Sequence, residues 1–111
     1  MRDNGRLLAE MRHQIRYIPR WYHYYAGLAD KIEGAVHPCD KNALSFSRHE
    51  PLGVCVGIVP WNAPLFLFSL KAAPALAAGC TFVMKPAEYT SATALKLMEL
   101  VEKAGFPPGV I

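Results

Sequence analysis

A chain of 111 residues that is 52% hydrophobic and 19% charged can bury one modest core and is too apolar to be disordered. Its 12 basic and 9 acidic residues leave a formal charge of +3, with much of the excess on Arg2, Arg6, Arg12, Arg16 and Arg20. That balance is too mild for a nucleic-acid partner, and the longest apolar stretch, Leu65 to Ala78, is broken by Ser69, Lys71 and Pro74, so no membrane span is expected.

From Arg6 to about Lys31, apolar residues recur at Leu8, Met11, Ile15, Ile18, Tyr22, Tyr25, Leu28 and Ile32 with gaps of three and four. This spacing predicts a long amphipathic helix. Asp3-Asn4-Gly5 offers capping chemistry at its start, Pro19 is expected to kink or divide it, and Gly34 is a plausible stop. The segment Ala35 to Glu50 is polar and loses the period, although Leu44-Ser45-Phe46-Ser47 alternates as a half-exposed strand does. It reads as an extended arm.

Leu52 to Val59 is a near-continuous apolar run, the pattern of a strand covered on both faces in a parallel sheet. A helix over Leu65 to Ala78 follows, with Gly79 as its terminator, then a strand at Thr81 to Met84. Thr90 or Ser91 caps a last helix that ends at Gly105, and Val110-Ile111 begin another strand. The order is that of an α/β fold with a partial Rossmann-like parallel sheet and flanking helices, preceded by the long helix and the arm. The chain divides into a helical packing segment (1–36), an arm (37–51) and an incomplete Rossmann-like unit (52–111).

Chemistry concentrates in two places. Pro60-Trp61-Asn62-Ala63-Pro64 follows a buried-type strand, where ligands of open α/β sheets collect, and an immobilised Asn62 amide could donate to developing negative charge. The plainer reading is a tight turn in which Asn62 bonds its own backbone. Lys85-Pro86-Ala87-Glu88 ends the next strand, and an ammonium with a carboxylate there could hold ribose hydroxyls; it could equally be a solvated pair at a helix N-terminus. Spacing alone favours the plainer reading in both places.

The ordered series Tyr24-Tyr25-Ala26-Gly27-Leu28-Ala29-Asp30-Lys31-Ile32, Glu50-Pro51-Leu52-Gly53-Val54, Ile58-Val59-Pro60-Trp61-Asn62-Ala63-Pro64-Leu65, Pro74-Ala75-Leu76-Ala77-Ala78-Gly79 and Lys85-Pro86-Ala87-Glu88 resembles the aldehyde dehydrogenase superfamily over essentially the whole chain. The resemblance implies oxidation of an aldehyde to a carboxylic acid with NAD, NADP being possible. It assigns Asn62 to the oxyanion hole that stabilises the hemithioacetal, Lys85 and Glu88 to the adenosine ribose, and Ile58, Val59, Pro60 and Trp61 to the cofactor cleft.

The resemblance further implies that His37 to Pro51 begins a protruding oligomerisation arm of a homo-oligomer, a dimer or tetramer. Trp21, Tyr22, Tyr24 and Tyr25 become core or interface residues. It also implies that the nucleophilic cysteine, the general-base glutamate and the glycine-bearing loop lie outside these residues, so that the isolated chain is inactive. The alternative is a non-catalytic nucleotide-binding or subunit-docking module.

Cys39, Cys55 and Cys80 form neither a CxxC pair nor a disulfide framework, and Cys55 and Cys80 read as inert packing residues. His37, Cys39 and His49 fit no zinc spacing, so no metal is expected. With unpaired thiols and no apolar leader at the start, the expected setting is cytoplasmic.

Overall fold

The computed structural model describes residues 2–111. Helix α1 (Leu8–Ala26) leads into a hairpin of β1 (Ala35–His37) and β2 (Ser45–Ser47). Strand β3 (Val54–Ile58), helix α2 (Pro64–Ala77), strand β4 (Thr81–Lys85), a 3₁₀ turn (Glu88–Thr90) and helix α3 (Ala92–Lys103) complete the order. Strands β3 and β4 pair in parallel, with Val54 opposite Thr81 and Ile58 opposite Lys85. The α/β class is therefore the one expected, and α2 is the crossover that a parallel pair requires. Where a further strand is expected at Val110-Ile111, the Val110 carbonyl accepts the Phe82 N–H at 2.8 Å on the free side of β4, without a strand forming.

Helix α1 departs from expectation at three points. It runs unbroken through Pro19, which is exposed, so the carbonyl deprived of its donor lies toward solvent. It ends at Ala26 rather than near Lys31, because Gly27 and the residues after it close successive turns instead of extending the helical ladder. Its N-cap is Leu7 and no side chain caps it; the Asp3-Asn4-Gly5 turn is used elsewhere.

The hairpin supplies a partner the sequence pattern did not reveal. Ala35 to His37 lies antiparallel to Ser45 to Ser47, and a Cβ on Gly34 would stand 2.0 Å from the Ser47 carbonyl oxygen, so only glycine admits this approach. Val36 and Phe46 are exposed on it. The molecule is elongated, with extents of 65 × 26 × 24 Å.

The core lies between α2 and one face of the β3/β4 pair and is built from Val59, Phe68, Ala72 and Phe82. Phe68 is fully buried and meets Phe82 edge to face at 5.5 Å. The Phe82 ring passes directly over Gly57, where an added Cβ would fall 2.2 Å from its ring carbon. The other face of the sheet is open: Val54, Val56, Ile58 and Val83 are exposed, so the strand expected to be covered on both faces is covered on one among the described residues. Every second residue of the apolar run thus lacks the layer that its pattern anticipates.

Helix α1 packs on α2 through Tyr17 against Phe66 at 6.2 Å, and Trp21, Tyr22 and Tyr25 are half-buried while Tyr24 is exposed. Burial pushes the Tyr22 phenol up. Because Phe82 leaves no room, Gly57→Ala is expected to destabilise the fold by about 1–3 kcal/mol, and Phe68→Ala by about 3–5 kcal/mol. Urea denaturation checks both, and an unchanged midpoint for Gly57→Ala would show that the ring moves aside freely.

Candidate functional site

The parallel register places the carboxyl ends of β3 and β4 at one rim. Ile58 stands opposite Lys85, and the Val59 N–H donates to the Lys85 carbonyl at 3.0 Å, extending the pairing one step beyond the strands. From that rim the chain leaves β3 through Pro60-Trp61-Asn62 and enters α2 at Pro64, and it leaves β4 through Pro86-Ala87-Glu88 toward α3.

Asn62 lies two residues ahead of α2, with Ala63 as N-cap and Pro64 in the first turn. A proline there surrenders only an N–H that the helix does not use, and the helix dipole makes this end favourable for negative charge. Asn62 is exposed, and hydrogen bonds from Asn4 and Arg6 engage its carbonyl rather than its amide.

Lys85 and Glu88 form an ion pair across the loop after β4, with both side chains largely in solvent. The hydrogen bond from Lys85 lowers the Glu88 carboxyl from its ordinary value. Val59 differs from its neighbours, because the whole residue is 1% exposed and its N–H is bonded to the Lys85 carbonyl, so it belongs to the core beneath the open edge. Ile58, Pro60 and Trp61 are exposed along the same edge.

Two features of this rim escaped the sequence reading. Lys71, about two turns into α2, donates to the Ile58 carbonyl at 2.6 Å. Asp3, ninety residues away in sequence, accepts the Thr93 N–H at 3.0 Å and also bonds the Thr93 hydroxyl. Ser91 is the N-cap residue of α3, one of the two positions expected, but its side chain makes no capping bond and the Thr90 hydroxyl is buried without a partner among the described residues, so Asp3 supplies the acceptor from outside the local sequence.

The sequence pattern of the Aldehyde dehydrogenase family matches residues 1–111. The chain belongs to the aldehyde dehydrogenase family. Among curated relatives, (Z)-2-((N-methylformamido)methylene)-5-hydroxybutyrolactone dehydrogenase of Acinetobacter baylyi is 49% identical over 110 residues, covering 98% of this chain and 22% of the relative. Human retinal dehydrogenase 2 is 56% identical over 97 residues, covering 87% of this chain and 19% of the relative. The NAD+ complex of aldehyde dehydrogenase from Bacillus cereus superposes with a TM-score of 0.92 at 45% identity, over 97% of this chain and 22% of that one. The chain thus spans about a fifth of the length of these aldehyde dehydrogenases.

The three cysteines of this family member differ in environment. Cys80 is buried, and its thiol beside Cys55 pushes the Cys55 thiol up, which disfavours the thiolate. Cys39 is exposed in the hairpin and donates to the Ala43 carbonyl at 2.8 Å. Among the described residues no cluster of three or more His, Cys, Asp or Glu could hold a metal ion, and no helix is long and apolar enough to cross a membrane.

The Thr93 hydroxyl, aided by main-chain N–H groups, holds the Asp3 carboxyl below its usual value. The folded value lies under the unfolded one, so this carboxylate's contribution is complete above about pH 4 and is lost as pH falls through the folded value. Asp3→Ala is expected to cost about 1 kcal/mol near neutral pH. Urea titrations should show the gap between variant and parent narrowing toward about pH 3. A gap that stays constant with pH would rule out the charged cap.

Proposed function

We propose that this chain is the part of an NAD-dependent aldehyde dehydrogenase that supplies the oxyanion asparagine and one edge of the cofactor cleft, in a protein that oxidises an aldehyde to a carboxylic acid. The observation that carries the reading is the register of β3 and β4, which brings the loop bearing Asn62 and the loop bearing Lys85 and Glu88 to one rim. In this reading the division into helical packing segment (1–36), arm (37–51) and Rossmann-like unit (52–111) describes parts of one subunit.

The donor set at the rim suits a dinucleotide. The Glu88 carboxylate can accept from vicinal ribose hydroxyls and Lys85 can donate to a ribose oxygen, while Ile58, Pro60 and Trp61 border the cleft and the buried Val59 supports them from the core. The cofactor, when bound, accepts the hydride of the oxidation. Asn62 donates its side-chain amide to the oxygen on which negative charge develops, at the positive end of α2. An ionised Glu88 repels a 2′-phosphate, which favours NAD over NADP.

None of the three cysteines has an environment suited to a nucleophile, so the 111 residues alone are inactive in this reading. The exposed hairpin, with Val36 and Phe46, serves a homo-oligomer, dimer or tetramer, and the free thiols suit a cytoplasmic setting.

In a full-length subunit carrying this segment, Asn62→Ala should lower kcat roughly a hundredfold, equivalent to about 3 kcal/mol, with a much smaller change in KM for the aldehyde. NADH formation followed by absorbance measures it, and undiminished kcat would remove Asn62 from the oxyanion role. Glu88→Gln should raise the ratio of kcat/KM for NADP over NAD roughly tenfold. An unaltered ratio would sever Glu88 from cofactor choice.

A further inference from the structure

Neither proline of the Pro60 to Pro64 loop acts on the torsions of Asn62 itself. Pro60 fixes its own φ and restricts Val59, and Pro64 fixes its own φ and restricts Ala63, leaving Asn62 between them without a direct constraint. The Asn62 carbonyl also lies outside the α2 ladder, whose first acceptor is Ala63, bonded by the Leu67 N–H at 3.0 Å. An amide that must stay aimed at one point needs its main chain held by something else.

The segment before α1 does this. The Asn4 side-chain Nδ2 donates to the Asn62 carbonyl at 3.2 Å, and the Arg6 Nη1 approaches the same oxygen at 3.5 Å. Asn4 is itself fixed, because its Oδ1 accepts the Arg6 main-chain N–H at 3.2 Å and Nδ2 also points at the Met11 sulfur at 3.4 Å. Arg6 is braced by an ion pair with Glu10 at 2.9 Å, and Asp3, the neighbour of Asn4, is tied to Thr93 at the start of α3.

We propose that Asn4, seconded by Arg6, is a positioning residue for Asn62: by gripping the Asn62 carbonyl it sets the peptide plane from which the oxyanion-stabilising amide projects. The inference rests on the oxyanion reading of Asn62. Asn4 touches no reacting atom, and its effect reaches the reaction only through the orientation of Asn62.

The probe is Asn4→Asp in a full-length subunit carrying this segment. It is nearly isosteric and keeps the acceptor for the Arg6 N–H, but it replaces the donor to the Asn62 carbonyl with a carboxylate oxygen. The expected result is a roughly tenfold fall in kcat with KM for aldehyde and NAD little changed, and no further fall when the change is added to Asn62→Ala. Arg6→Ala, which spares Asn4, should give a smaller loss of the same kind and serves if Asn4→Asp does not fold. Wild-type kcat in a folded Asn4→Asp or Arg6→Ala subunit, or losses that multiply onto Asn62→Ala, would overturn the positioning role while leaving Asn62 its own. If Asn62→Ala alone keeps full kcat, the oxyanion reading fails and takes this inference with it.

Discussion

The pairing of β3 with β4 in parallel is the constraint on which the remaining geometry depends. Parallel neighbours cannot be joined by a tight hairpin, so the chain must cross over through α2, and both strands then end at the same edge. Each strand is followed by a loop that enters a helix, which places the N-termini of α2 and α3 beside one another in role. Helix N-termini carry unsatisfied N–H groups and favour negative charge; Asp3 already supplies that charge at α3, and the N-terminus of α2 lies beside the Asn62 loop. An antiparallel arrangement of the same two strands would have sent the Asn62 loop and the Lys85 loop to opposite ends.

What was legible in the sequence follows from the range over which each determinant acts. Helix α2 announces itself through local signals: Pro64 in its first turn, an alanine- and leucine-rich body, and Gly79, whose φ of +80° only glycine adopts without strain. The strands β3 and β4 were readable as apolar runs for the same reason. Strand β1 was not, because three exposed residues carry no period and their pairing depends on Gly34 approaching Ser47, thirteen positions on. The cap of α3 was beyond any local reading: Ser91 is the residue type expected, yet Asp3 from the far end of the chain supplies the acceptor. For the candidate site, position was legible and role was not. The residues alone favoured a turn-maker at Asn62, and only the family likeness pointed to the hydrogen-bond donor.

The exposed β3 face shows the difference between a pattern and its satisfaction. Val54, Val56 and Ile58 alternate with Cys55 and Gly57, which turn toward α2. An apolar side chain at nearly every position is what a strand between two layers requires, and the described residues provide one layer. The buried side is correspondingly demanding: Gly57 exists to admit the Phe82 ring, and Phe68 locks that ring from the helix side. Val59, at the end of the same strand, belongs to this core by its side chain and to the rim by its main chain, so core packing and rim geometry share a residue.

The Lys85–Glu88 pair and the Asp3–Asn4 turn contribute in different currencies. An exposed ion pair is worth little to stability, since water already solvates both charges well. Its effect is geometric: it holds the Glu88 carboxylate beside Lys85 at the rim. The Asp3–Asn4 turn is half-buried and acts mechanically, with Asp3 fastened to the helix that follows β4 and Asn4 to the loop that follows β3. Two adjacent residues thereby link the loop after β3 to the first turn of α3. Under the proposed function, a change at Glu88 would alter the charge met by a ribose without touching the bonds that hold the Asn62 carbonyl. Recognition would then rest on solvated charge and positioning on the segment that precedes α1.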